Sequence, residues 1–174
     1  MEADANPGAD AAASGPSPDD LAALSAYATA LADGIEAALA PWVERSVERV
    51  HVDRLARRPP IEVREAATRA GAEARATVGP RVRTLLALDI DEQRTGPLAM
   101  VREAVVYPTR VLQEAGVAPV ERDEFAARQF PDDLYDLAPA TFADLDPDLH
   151  ETGLVWGAAK AHVHLSRRRA EGRR

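Results

Sequence analysis

Leu21, Leu24, Ala28, Leu31, Ile35 and Leu39 follow one another at intervals of three or four residues. That spacing lays one apolar stripe along a helix of 3.6 residues per turn and suits no strand, whose faces alternate every second residue. Ser17-Pro18-Asp19-Asp20 stands just before the stripe. Serine is a favoured N-cap, proline fits the first helical position where its missing N–H is not needed, and acids suit the positive end of the helix dipole. The stretch therefore predicts a helix from Pro18, and the rest of the chain must find surfaces to cover its stripe.

The residues available for a core agree with this. Hydrophobic residues make up 46% of the chain but aromatics only 5%, so Ala, Leu and Val must build the interior. Such a composition suits closely packed helices better than a β-sandwich. At 174 residues the chain fits one domain.

Further segments carry the same period. Pro41 is expected to kink or restart the first helix, because an interior proline loses a hydrogen bond and clashes with the preceding turn. Val43, Val47 and Val50 then continue the stripe toward Leu55, and Pro59-Pro60 closes the segment. Ile61, Val63, Ala67, Ala70 and Ala74 predict a second helix over 61–78, ended by Gly79-Pro80. Residues 81–93 and 97–115 predict two more, with Pro108 bending or splitting the latter. Val105-Val106-Tyr107 could alternatively form a short strand, but one strand has no partner.

After Gly116 three short units are expected: a helix around 122–129, a turn at 131–137 and another at 139–145. Phe125, Phe130, Leu134, Tyr135, Leu137, Phe142 and Leu145 make this the most aromatic part of the chain, predicting a packed segment. Asp146 is expected to cap a last helix running from Pro147 to about Ser166, on which Leu154, Ala158, Ala161 and Leu165 form the apolar stripe. The fold class is thus all-α: a single-domain bundle of about five or six helices over 18–168. Residues 1–17, rich in Ala, Gly, Pro, Ser and Asp without periodicity, are expected to form a disordered acidic tail, and 169–174 a basic one.

Several kinds of chemistry lack the residues they need. The chain has no cysteine, which removes disulfides, thiolate metal sites and cysteine nucleophiles and fits a reducing cytoplasm. The acidic N-terminal stretch has no apolar run, so no signal peptide is expected there, and no stretch approaches a membrane span. Neither GxxxxGK[ST] nor GxGxxG occurs, nor a GxSxG elbow. Asp144-x-Asp146-x-Asp148 resembles the opening of a calcium loop, yet the sixth position is Leu149 rather than Gly and the twelfth is Val155 rather than Glu. His162 and His164 stand two apart, about 200° around a helix, and so cannot share an ion there. Asp132 with Asp133, and Asp89 with Asp91, could serve as acid and base only if buried together; acidic helix starts are the commoner explanation. No catalytic, cofactor or metal site is assigned.

Charge is laid out unevenly. Residues 116–151 hold ten acids against two bases, whereas 152–174 hold six bases against Glu171 alone. Asp132, Asp133, Asp136, Asp144 and Asp148 are the candidate acidic interaction surface. Arg167, Arg168, Arg169, Arg173 and Arg174 are the candidate polyanion contact, since clustered arginines neutralise phosphates and release counterions. In the middle of the chain Glu62, Glu65 and Glu73 interleave with Arg64, Arg69 and Arg75, which reads as a salt-bridged helix surface. Opposed charge blocks speak for association more than for catalysis. The expected function is a non-enzymatic intracellular adaptor or regulator with a protein partner or self-association. The alternative is a nucleic-acid- or ribosome-associated protein using its arginines.

The segment Gly96 to His164, GPLAMVREAVVYPTRVLQEAGVAPVERDEFAARQFPDDLYDLAPATFADLDPDLHETGLVWGAAKAHVH, resembles small uncharacterised proteins of high-GC actinobacteria. One lysine against twenty arginines agrees with such a source. The resemblance implies an origin and transfers no catalytic residue.

Overall fold

The computed structural model describes residues 17–87, 97–149 and 171–172. Its elements are α1 (Pro18–Leu55), α2 (Ile61–Ala87), α3 (Pro97–Glu103), α4 (Val106–Glu114), α5 (Glu124–Gln129) and α6 (Phe142–Leu145), followed by a 3-10 turn at Pro147–Leu149. There is no strand among the described residues, and the protein is all-α. Helix α1 starts at Pro18 and α2 at Ile61, where the capping and proline signals put them.

The first two helices form an antiparallel hairpin joined by the five residues 56–60. A connection that short forces neighbouring helices to run in opposite directions. Leu31, Ile35, Leu39, Val43, Val47 and Val50 on α1 are buried, as are Ala67, Ala70, Ala74, Val78 and Val82 on α2. Large side chains on one helix thus meet small ones on the other, and the backbones approach closely. Helix α4 packs on both and adds Val111 and Leu112, and α6 with the 3-10 turn closes against α1. Each fully buried leucine or valine contributes about 1.5–3 kcal/mol relative to remaining exposed.

Two prolines lie inside helices: Pro80 does not end α2 as expected, and Pro41, expected to kink or restart α1, does not restart it. α1 runs unbroken through Pro41 and α2 through Gly79 and Pro80. Both prolines are exposed, and so are Ala37 and Ala76, whose carbonyls lose their usual donors four residues on. The cost therefore falls on the solvent side, while Val43 beyond Pro41 and Val82 and Leu85 beyond Pro80 are buried and hold the helix in place.

Pro108 behaves as expected, but the split comes before it. The chain turns at Ala104-Val105, so Pro108 falls in the first turn of α4, where a helix needs no donor. The carbonyl of Ala104, which a normal residue at 108 would satisfy, accepts from the Tyr107 amide instead at 3.1 Å. Val105-Val106-Tyr107 is accordingly not a strand.

Helix α1 ends through a left-handed Ala56, φ 51°, whose amide donates to the Val52 carbonyl at 2.9 Å. Just before this turn His51 is buried, with Nδ1 3.0 Å from the Arg57 carbonyl. A carbonyl can only accept, so that nitrogen carries the proton. Leu55 and Ile61, periodic in the sequence, are exposed where they flank the connection at the closed end of the hairpin.

Candidate functional site

The segment from Val117 to Leu149 has little regular structure and is held by side chains. Arg122 donates from Nη1 to the carbonyls of Phe130 and Asp133, at 2.8 Å for the former. Asp133 accepts from the amides of Leu137 and Ala138, each at 2.7 Å. The Tyr135 hydroxyl donates to the Val117 carbonyl at 2.6 Å, and burial raises its pKa above the usual phenol value. Arg102 crosses from α3, donating to the Pro139 carbonyl at 2.8 Å with its guanidinium over the Phe130 ring. Backbone groups that lack helix or sheet partners are thus satisfied by four buried or half-buried polar side chains.

The five proposed acids separate on this frame. Asp133 is only 3% exposed, so it is not part of an interaction surface; its carboxylate is consumed inside the loop. Asp132, Asp136, Asp144 and Asp148 are exposed. Asp144 also serves α6: its Oδ2 accepts from the Thr141 amide at 2.7 Å, the Ala140 amide at 2.9 Å and the Thr141 hydroxyl at 3.1 Å. The backbone bond from Thr141 is the main reason its pKa lies below the ordinary aspartate value, with Arg49 adding a smaller push in the same direction. Asp146 accepts from the Asp148 amide at 3.0 Å and so starts a 3-10 turn with Pro147; the helix to about Ser166 that it was expected to cap lies outside the described residues beyond Leu149.

The aromatic expectation holds for Tyr135, Leu137, Phe142 and Leu145, which are buried, but fails at Phe125, 70% exposed. Helix α5 has no buried residue at all. It is fixed at its ends instead: Asp123 accepts from the Ala126 amide at 2.7 Å, and the Phe130 amide donates to the Ala126 carbonyl. Glu121, Asp123 and Glu124 precede Phe125, and all three are exposed. Sequence reasoning placed this ring inside because aromatics bury more area than any other side chain. It is the one large apolar side chain of a six-residue helix, and the residues three and four away, Glu121, Arg122, Arg128 and Gln129, are all polar, which was the available contrary signal.

Of the interleaved cluster Glu62, Glu65, Glu73, Arg64, Arg69 and Arg75, only Arg75 and Glu73 form ion pairs among the described residues, and both pair with another helix, as do Arg81, Arg83 and Arg110. Arg83 bonds Asp33 and Glu36, Arg75 approaches Glu36, Arg81 bonds Glu103 and Arg110 bonds Glu73. The carboxylate partners raise the pKa of Arg81, Arg83 and Arg110 above the ordinary value. Exposed pairs of this kind add little stability but fix helix register.

Arg167, Arg168, Arg169, Arg173 and Arg174 lie outside the described residues, as do His150, His162, His164, Asp89, Asp91 and the apolar stripe expected after Leu149. Among the described residues no group of three or more His, Asp or Glu is placed to hold a metal ion, and no helix is long and apolar enough to cross a membrane.

The geometry defines an all-α bundle whose acidic, side-chain-stapled loop presents a helix with an uncovered aromatic ring. No family model, no curated protein and no solved structure matches this chain.

Proposed function

We propose that the protein is a non-enzymatic adaptor or regulator that acts through protein contacts, with α5 as its contact helix. The observation that carries this reading is Phe125, 70% exposed on a helix that buries none of its residues. A six-residue helix in water is unstable by itself, and most helices persist because one face is packed. Here capping and the adjoining turns hold the helix while its apolar side chain faces outward, which is the arrangement of an anchor for a partner's pocket. Glu121, Asp123 and Glu124 beside the ring favour a basic rim around that pocket. A cytoplasmic setting belongs to the same proposal, since a chain without cysteine draws nothing from an oxidising compartment.

A photoreactive phenylalanine analogue at position 125 tests this directly. It is expected to crosslink one discrete protein, or a second copy of the chain, that the same analogue at exposed Ile61 does not capture. Phe125→Ser should abolish co-purification of that partner with Tm unchanged. Identical adducts from both positions would overturn the contact-helix assignment.

A further inference from the structure

Away from Phe125, a cleft of about 530 Å³ opens between α1 and the loop leading into α6. Its size falls within the ~300–1,000 Å³ of small-molecule sites. Trp42, Leu137 and Pro139 supply apolar wall, and the charged groups that face it are Arg45 and Arg49 from α1 with Asp136 and Asp144 from the loop.

These four charges are not equivalent. Arg45 donates to the Leu145 carbonyl at 2.7 Å and so ties the loop to α1. Asp144 already accepts three bonds at Oδ2, which makes it a structural cap of α6. Arg49, one helical turn beyond Arg45, makes no hydrogen bond or ion pair with any described residue, and neither does Asp136. Asp136 lies in the left-handed region, φ 59°, which aspartate and asparagine adopt more readily than other residues with a side chain. One guanidinium that acts on Asp144 by charge alone, and one carboxylate with no hydrogen bond or ion pair among the described residues, thus line the same partly apolar cleft.

This combination selects among ligands. A bare anion such as phosphate would meet Asp136 and Asp144 as well as the arginines, and a bare cation would meet Arg45 and Arg49; each is opposed by half of the lining. A guanidinium binds a carboxylate in a fork, and a carboxylate accepts from an ammonium. We propose that this cleft binds a small zwitterion with an apolar body, a free α-amino acid or a short peptide, with Arg49 on its carboxylate and Asp136 on its ammonium. Trp42, Leu137 and Pro139 then cover the apolar part. The proposal stands independently of the contact role of α5.

Titration calorimetry of the full chain with L-leucine and with the dipeptide leucyl-leucine separates the two sources. Each has two controls, the N-acetyl form that lacks the ammonium and the amide that lacks the carboxylate. At least one zwitterion should bind, at least tenfold more tightly than both of its blocked forms. Arg49→Gln and Asp136→Asn should each weaken it at least tenfold with little change in Tm, because both side chains are exposed, asparagine tolerates the left-handed backbone, and Arg49 supplies the smallest of the effects that lower the Asp144 pKa. Absence of heat with both zwitterions, equal binding of the N-acetyl form, or affinity unchanged in the two variants would overturn the assignment.

Discussion

Gly71 of α2 lies directly against the backbone of Ala40 in α1: a Cβ at position 71 would stand 2.8 Å from the Ala40 carbonyl oxygen and 3.1 Å from its Cα. Backbone cannot swing aside as a side chain can, so the two longest helices would have to separate. Gly71→Ala is therefore expected to destabilise the protein by about 1–3 kcal/mol, although alanine is the better helix former by roughly 1 kcal/mol. Gly34→Ala is the control. Its Cβ would meet only the Leu149 Cδ2 methyl, at 2.9 Å, which a rotamer change can relieve. Urea unfolding should rank Gly71→Ala well below Gly34→Ala; equal stabilities would show that the hairpin is looser than this packing implies.

At the end of α1, Ala56 carries a φ of 51°, where a Cβ crowds the following carbonyl. Glycine has no such penalty. Ala56→Gly should raise stability by about 1 kcal/mol, less whatever freedom glycine adds to the unfolded chain. The gain should appear as a higher urea midpoint with an unchanged slope, and a loss would mean that this turn does not hold the left-handed form in solution.

Asp133 anchors the loop by receiving the Leu137 and Ala138 amides at 2.7 Å each. Alanine there would leave two donors unsatisfied, each worth about 1–3 kcal/mol when buried. Asp133→Ala is expected to cost at least about 2 kcal/mol, whereas exposed Asp132→Ala should be nearly neutral. Hydrogen exchange at the Leu137 and Ala138 amides would locate the effect: acceleration confined to them and their neighbours is the expected result, and no acceleration would contradict the staple.

How much of this was legible in the chain differs by element. The apolar stripe from Leu31 to Val50, the starts at Pro18 and Ile61, and the short helix around 122–129 are local patterns, and local patterns survive into the fold. Pro41 and Pro80 misled because their cost depends on which side faces water, a fact decided by the partner helix. Asp133 and Phe125 misled for the same reason in opposite directions: burial is set by neighbours distant in sequence, so an acid went inside and an aromatic stayed out. Ion pairs were expected along α2, among Glu62, Glu65, Arg64 and Arg69, which form none among the described residues; the pairs that α2 does form run to other helices. Arg49 and Asp136 carry no local signature, and only the fold brings them to one cleft.

The Asp144 carboxylate gives the acid response its sign. Its pKa in the folded state lies below the ordinary aspartate value, chiefly through the Thr141 amide bond; burial opposes this as the next largest effect, and the Thr141 hydroxyl, the Ala140 amide and the charge of Arg49 add smaller pushes downward. A depressed folded value means that the folded state holds the proton less tightly than the unfolded chain, so the contribution to stability is fully present above the unfolded pKa of about 3.9. It is lost as pH falls from there through the lower folded value. Asp144→Asn keeps an acceptor oxygen but cannot titrate. The variant should be less stable than the parent at pH 7, and the difference should shrink as pH drops below about 4. Urea unfolding of both proteins between pH 7 and pH 2.5 measures it; a difference that stays constant over that range would show that the α6 cap does not depend on the charge of Asp144.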